Sequence, residues 1–274
     1  MIRETTERST LLVLLGLALL LAGGLLASGP IPQNVAYHGF ADQRALFGVP
    51  NGLDVLSNIP FLLVGGIGIS LLASHGFSML GSQMLQRWEW AAWLILFAAV
   101  AAVAFGSSYY HLAPDNPRLV WDRLPITVAF TSMLALVMGE RLSMGVGRRC
   151  LLPFIALGLW SAWAWHQSEL RGEGDLRFYI FVQAYPLLAI PSLLALRPPR
   201  YSGGEAYLVA IGMYAVAKLC ELFDPQILEV TGFVSGHTLK HLVAAAAVAW
   251  ILRMMATRDL ATPTMVVEME RDTP

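Results

Sequence analysis

Residues 106–125 read GSSYYHLAPDNPRLVWDRLP. One long apolar segment ends in this stretch and another begins in it. The short connection carries Pro114 and Pro117, so two helices are expected to turn back on one another here. Ser107 and His111, at i and i+4, then share one helix face. The return places Asp122 in the first turn of the second helix, near the depth of His111. Ser108, three residues before His111, is a competing hydroxyl that helical geometry alone does not separate from Ser107. Near the other end of the chain, GHTLKHL sets His237 and His241 at i and i+4 again. Three histidines, one carboxylate and one hydroxyl are thus offered by three helices.

Composition fixes the class around this stretch. Of 274 residues, 56% are hydrophobic and 14% charged, against about 25% charged in soluble domains. An all-α, polytopic membrane helical bundle is the expected fold. The net charge of -1 gives no support for a nucleic-acid partner. Cys150 and Cys220 lie in or beside separate apolar segments, which is neither a disulfide framework nor a thiolate metal site.

The leucine-rich run from Leu11 to Ala27 is longer than a usual signal h-region of about 7–15 residues and reads as an uncleaved anchor, with a cleaved signal as the alternative. Seven further spans are placed near 52–74, 88–110, 120–139, 150–166, 177–196, 205–223 and 237–256. The domain reading is an anchor or signal at 1–28, one seven-helix membrane domain at 29–256 and a polar cytoplasmic tail at 257–274, disordered after Arg258. With the N-terminus inside, ten arginines between Arg3 and Arg258 fall on the cytoplasmic side and five, Arg44, Arg118, Arg123, Arg171 and Arg177, on the other, which favours that orientation. Ser107, His111, Asp122, His237 and His241 then share the non-cytoplasmic end.

A histidine pair at i, i+4 is by itself more often a surface or core pair than a metal site. Within membrane spans, however, ionisable groups cost on the order of 2.5–3.5 kcal/mol at mid-depth and face partners or a cavity. Three neutral imidazoles with an open position is the donor set of catalytic zinc, and such an ion lowers the pKa of water from about 15.7 to about 7. Asp122 offsets part of the ion's charge and is the candidate acid/base that hands a proton to a leaving amine. Ser107 is the candidate donor to the water or to an oxyanion.

The Ser107, His111 and Asp122 spacing, the Asp-x-Leu-Pro string at Asp122–Pro125, the His237-x-x-x-His241 pair and the Leu-Ser-Asn string at Leu56–Asn58 resemble the alkaline ceramidase family. That family belongs to a superfamily of seven-helix membrane hydrolases that also holds the progestin and adipoQ receptors. The likeness spans roughly residues 36–256, and FADQR, GDLR and SGHTLKHL give it the look of a bacterial branch, hence an inner-membrane location. It implies zinc-dependent hydrolysis of a ceramide amide to a sphingoid base and a fatty acid, with His111, His237 and His241 as ligands, Asp122 as acid/base and Ser107 at the oxyanion. Alternatives are another lipid amide or ester, or a receptor-like regulatory protein retaining the metal site.

Eukaryotic members of that family carry a calcium site before the first common helix, where this chain reads YHGFADQRALFGVPNGLD. Asp42, Asn51 and Asp54 offer oxygens there, short of the six to eight that calcium takes; a polar outer loop is the alternative. Asp54 and Asn58 share a helix face and are expected either to support the site or to cap and pack the helix. Lys218 and Glu221 read as a mutually neutralising structural pair. Trp160, Trp163 and Trp165 read as an interfacial belt, with His166 beside them a weak ligand candidate. Lys240, between the two late histidines, is expected to point away from them.

Overall fold

The computed structural model describes residues 2–75 and 86–261. Its regular elements are helices: α1 (Ile2–Ala27), α2 (Gly52–Leu56), α3 (Ile59–His75), α4 (Arg87–Leu112), α5 (Asn116–Arg141), α6 (Met144–Leu170), α7 (Arg177–Leu196), α8 (Glu205–Leu222), α9 (Asp224–Thr231) and α10 (Gly236–Thr257), with one 3-10 turn at Val35–His38. Six segments are long and apolar enough to cross a membrane: Glu7–Ala27, Gly52–His75, α4, α5, α7 and α10. The pair α8 and α9, bent by 79°, makes a seventh if taken as one span. The chain is an all-α polytopic bundle.

Two elements add detail to the sequence reading. Helix α6 forms over the place expected for a span but falls outside this set, because its 27 residues also carry two arginines, a glutamate and a histidine-glutamine pair. Helix α8 stops at Leu222, and Pro225 starts the new helix α9 across the sharp bend. A proline is well tolerated in a first helical turn, where its missing N–H has no partner to lose.

Polar side chains set where the helices begin. The Asp115 carboxylate accepts the Arg118 N–H at 2.7 Å and so caps α5, with Pro117 in its first turn. Helix α5 starts earlier than hydropathy indicates, and Asp122 falls in its second turn, not its first. Ser143 and Ser235 cap α6 and α10 in the same way. The connection between α4 and α5 is thereby reduced to residues 113–115, which forces an antiparallel hairpin.

Helix α5 packs between α4 and α6 and also touches α7; α4 packs on α3, α3 on α10, and α10 on α8. Helices α3, α4, α5, α7, α8 and α10 thus ring a common interior, with α7 and α8 touching over a short stretch. Helix α1 lies outside that ring against α7, where Tyr185 Oη donates to the Leu14 carbonyl at 3.2 Å. Gly106 makes the α4–α5 approach possible: a Cβ there would overlap the Trp121 carbonyl. Gly236 does the same for the start of α10, which lies against the backbone of Cys220 and Asp224.

The end of the bundle away from the histidines closes with paired charges. Arg258, fully buried, reaches Glu140 and lies 4.1 Å from the Tyr201 ring centre, while Tyr207 donates to Glu140 and Tyr201 to Glu89, each at 2.9 Å. The Ser202 N–H donates to the Asp259 carbonyl, and the Ala261 N–H to that of Arg200. The segment after Arg258 is therefore placed as far as Ala261, in contrast to the disorder expected of it; residues 262–274 of the tail lie outside the described residues.

Candidate metal centre

His111 is in the last turn of α4, and His237 and His241 are in the first two turns of α10. All three are buried. Their candidate ligand nitrogens lie within 4.8 Å of one another, and Nε2 of His111 is 3.3 Å from Nε2 of His237. Two nitrogens about 2.0–2.1 Å from one tetrahedral ion stand about 3.3–3.4 Å apart, so the cluster is already near the spacing that a shared ion imposes. These three histidines could hold a metal ion. Among the described residues they are the one such group of three or more His, Cys, Asp or Glu side chains.

Neighbouring groups fix the rings. Nδ1 of His241 is 2.8 Å from Ser57 Oγ, and Ser57 in turn donates to the Asp54 carbonyl at 3.0 Å. With Nδ1 tied to this oxygen, the proton resides there and Nε2 is left as the ligand atom. Asn51 Nδ2 donates to the His111 carbonyl at 2.8 Å. The Asp224 carboxylate accepts the His237 N–H at 2.7 Å and the Ala41 N–H at 2.9 Å, joining α10 to the connection after α1. From that connection Phe40 stacks over the cluster, its ring centre 4.6 Å from His111 and 4.4 Å from His237. Excluding water in this way strengthens any charge interaction at the histidines.

Ser107 and Asp122 come close to one another across the α4–α5 contact that Gly106 permits. Both are buried, and both line a cavity of about 560 Å³ that also reaches His241. Ser108 is resolved from Ser107 by its partner, the Val55 carbonyl at 3.4 Å. Beyond its polar end the cavity is walled by apolar side chains of the ring helices, among them Val103, Phe130, Ile190 and Val248.

The residues weighed for calcium are otherwise engaged. Both Asp42 oxygens bind Arg44 at 2.8 Å, and that pairing pulls the Asp42 carboxyl below its ordinary range. Asp54, fully buried, accepts Thr238 Oγ1 at 2.7 Å while its second oxygen has no partner. Asn58 Nδ2 donates to the Asp54 carbonyl at 2.9 Å. The Asn51 side-chain amide is engaged by the backbone of α4 at the His111 carbonyl. Asp54 and Asn58 thus support the turn behind His241.

Lys240 does not point away from the histidines. Its Nζ is 3.2 Å from His237 Nε2 and 2.8 Å from Glu221, and it lines the cavity. Glu221 also pairs with Lys218, as expected, but faces the cavity and accepts Tyr37 Oη at 3.1 Å. Burial, and next the Glu221 carboxylate, push the Tyr37 phenol well above its ordinary pKa, so it remains a donor. Trp160 and Trp163 are exposed, as a membrane belt requires, whereas Trp165 is buried and donates to Glu169 at 3.0 Å. His166 stands apart from the cluster. The roles of Phe40, Ser57, Trp165 and Asp224 are absent from the sequence reading; only Ser57, inside the Leu56–Asn58 string, carried a signal.

No protein-family model matches the chain, and no curated protein matches it.

Proposed function

We propose that the protein is a zinc-dependent intramembrane hydrolase of lipid amides, of the kind the alkaline ceramidase resemblance implies. The observation that carries this reading is the junction of three buried imidazoles with the Ser107–Asp122 pair at the polar end of an apolar-walled cavity. The volume, about 560 Å³, falls within the ~300–1,000 Å³ of ligand pockets, and its walls suit an acyl chain. His111, His237 and His241 would hold the ion, which when bound supplies Lewis acidity and a more acidic water.

The chain's own residues have the remaining roles. The apolar wall holds the acyl chain, so that its amide carbon lies at the polar end. Asp122, buried beside Ser107, takes a proton from the attacking water and returns it to the departing amine nitrogen as the C–N bond breaks. The Ser107 hydroxyl, with one proton to give, turns from that carboxylate to the acyl oxygen as negative charge develops there and Asp122 becomes protonated. Phe40 covers the histidines and excludes bulk water.

The test is metal content together with fatty-acid release from radiolabelled ceramide by purified protein in detergent. About one zinc per chain and zinc-dependent release support the proposal. Zinc without release of fatty acid from any amide or ester lipid refutes hydrolysis and favours a receptor-like role. Absence of metal from folded protein removes the basis of the reading.

A further inference from the structure

Arg123 follows Asp122 on α5 and lines the same cavity. Its side chain is buried, 6% exposed. Trp165 and Tyr179 cover the guanidinium, their ring centres 3.9 Å and 4.6 Å from its central carbon. Among the described residues its hydrogen-bond acceptor is the neutral Gln33 amide oxygen, 2.5 Å from Nη2, and Nη1 has none. No carboxylate pairs with it among the described residues. Asp122, its sequence neighbour, lies beside Ser107 and feels the Arg123 charge but forms no salt bridge with it.

A buried charge without a counter-ion is costly, and burial is normally accompanied by pairing. Cation–π stacking on two rings recovers part of that cost. It also leaves the in-plane N–H edges of the fork as the groups open to an acceptor, the arrangement that binds carboxylate or phosphate bidentately. The cavity as a whole carries more positive than negative side chains. Its lining holds three cationic side chains, Arg123, Lys218 and Lys240, against the two carboxylates Asp122 and Glu221, and Glu221 is bound by both lysines. A divalent ion at the histidines would raise the positive excess further.

We propose that Arg123 is a substrate-recognition residue, and that the site takes lipids whose polar part carries a carboxylate or phosphate next to the acyl bond, in preference to neutral lipids. This rests on the lipid-hydrolase reading for the reaction but not for binding. Lys240, held by Glu221 on the cavity side of His237, adds to the same positive field.

The experiment measures binding to purified full-length protein in detergent, zinc-loaded and chelator-stripped, by displacement of a fluorescent fatty acyl probe. The competitors are N-palmitoylglycine, ceramide 1-phosphate and neutral ceramide. At least one anionic lipid should bind about tenfold or more tighter than ceramide, the size of one charged hydrogen-bonded contact. Arg123→Gln should remove that preference while leaving neutral ceramide within about twofold, and Arg123→Lys should keep an intermediate preference because it retains the charge without the fork. The two anionic lipids distinguish carboxylate from phosphate recognition. If wild-type protein binds all three equally, or if Arg123→Gln weakens all three alike, the inference is wrong; the wild-type comparison decides even if a variant misfolds. A charge preference without cleavage would sink the hydrolase and leave this inference, and ceramide cleavage without a charge preference would do the reverse.

Discussion

Ser57 is the most direct handle on the metal centre that leaves the three histidines in place. Its Oγ is 2.8 Å from Nδ1 of His241 and donates onward to the Asp54 carbonyl. Ser57→Ala removes the acceptor that holds the Nδ1 proton and with it the restraint on the ring. Removing such an outer partner typically costs about 10–100-fold in metal affinity. The Asp54 carbonyl lies near the same imidazole and can serve as a second acceptor, so the loss belongs at the lower end, about tenfold or ~1.4 kcal/mol. Zinc titration against a chromophoric chelator, on protein whose helicity matches wild type, measures it. Ser57→Thr keeps the hydroxyl and should recover most of the affinity. An Ala variant that binds zinc as tightly as wild type would show that Ser57 does not orient the ligand, and the assignment of Nε2 as the donor atom would lose its support.

Four further outcomes are expected. His237→Ala should lose bound metal, measured by elemental analysis, whereas Asp122→Asn should keep it and lose about 10²–10⁴-fold in turnover. Gly106→Ala should destabilise the bundle by about 1–3 kcal/mol, because the added methyl meets the Trp121 carbonyl and the backbones must separate; denaturation of the detergent-solubilised protein reads this, and an unchanged midpoint would contradict the close approach. Bound zinc should be released as pH falls, because protons compete for the imidazoles, and retention of full occupancy in acid would count against histidine ligation. The Asp42–Arg44 pair, with Arg44 half exposed, should add at most about 1 kcal/mol. Since pairing lowers the folded pKa of Asp42, that contribution is present above the unfolded value of about 3.9 and lost as pH falls below it, so Asp42→Asn should flatten the acid limb of the stability profile.

The bundle was legible because apolar length is a local property: each of the eight expected segments holds a helix, and hydropathy erred mainly at the ends. It cut α5 short by four residues because Asn116, Pro117 and Arg118 are polar, yet Asp115 and Pro117 are the groups that start a helix there. It ended the segment at 205–223 where α8 stops and gave no signal for α9, which turns off by 79°. Helix α6 forms over the segment expected at 150–166, with a less apolar composition than the other spans. That helix is amphiphilic enough to lean on α5 and α7 along one side, and tertiary packing substitutes for the apolar content it lacks.

The histidines were legible for a different reason: ionisable groups in apolar surroundings must be explained by partners, and three of them at one end of two helices have few alternatives to each other. The same logic, applied one residue further, would have placed Lys240 correctly. At i+3 from His237 it shares that residue's helix face, and an ammonium in a bundle interior can settle only against a carboxylate. Which carboxylate is not a local question. Glu221 lies on α8, and it reaches Lys240 because Gly236 lets the start of α10 sit against the α8 terminus. Arg123 is the converse case, since its fold-given partners are two aromatic rings and a neutral amide. The pattern of the sequence names the charges whose burial must be offset; packing shows that Lys240 has a salt-bridge partner in Glu221, whereas among the described residues Arg123 has none. The missing negative charge is therefore to be sought on what enters the cavity.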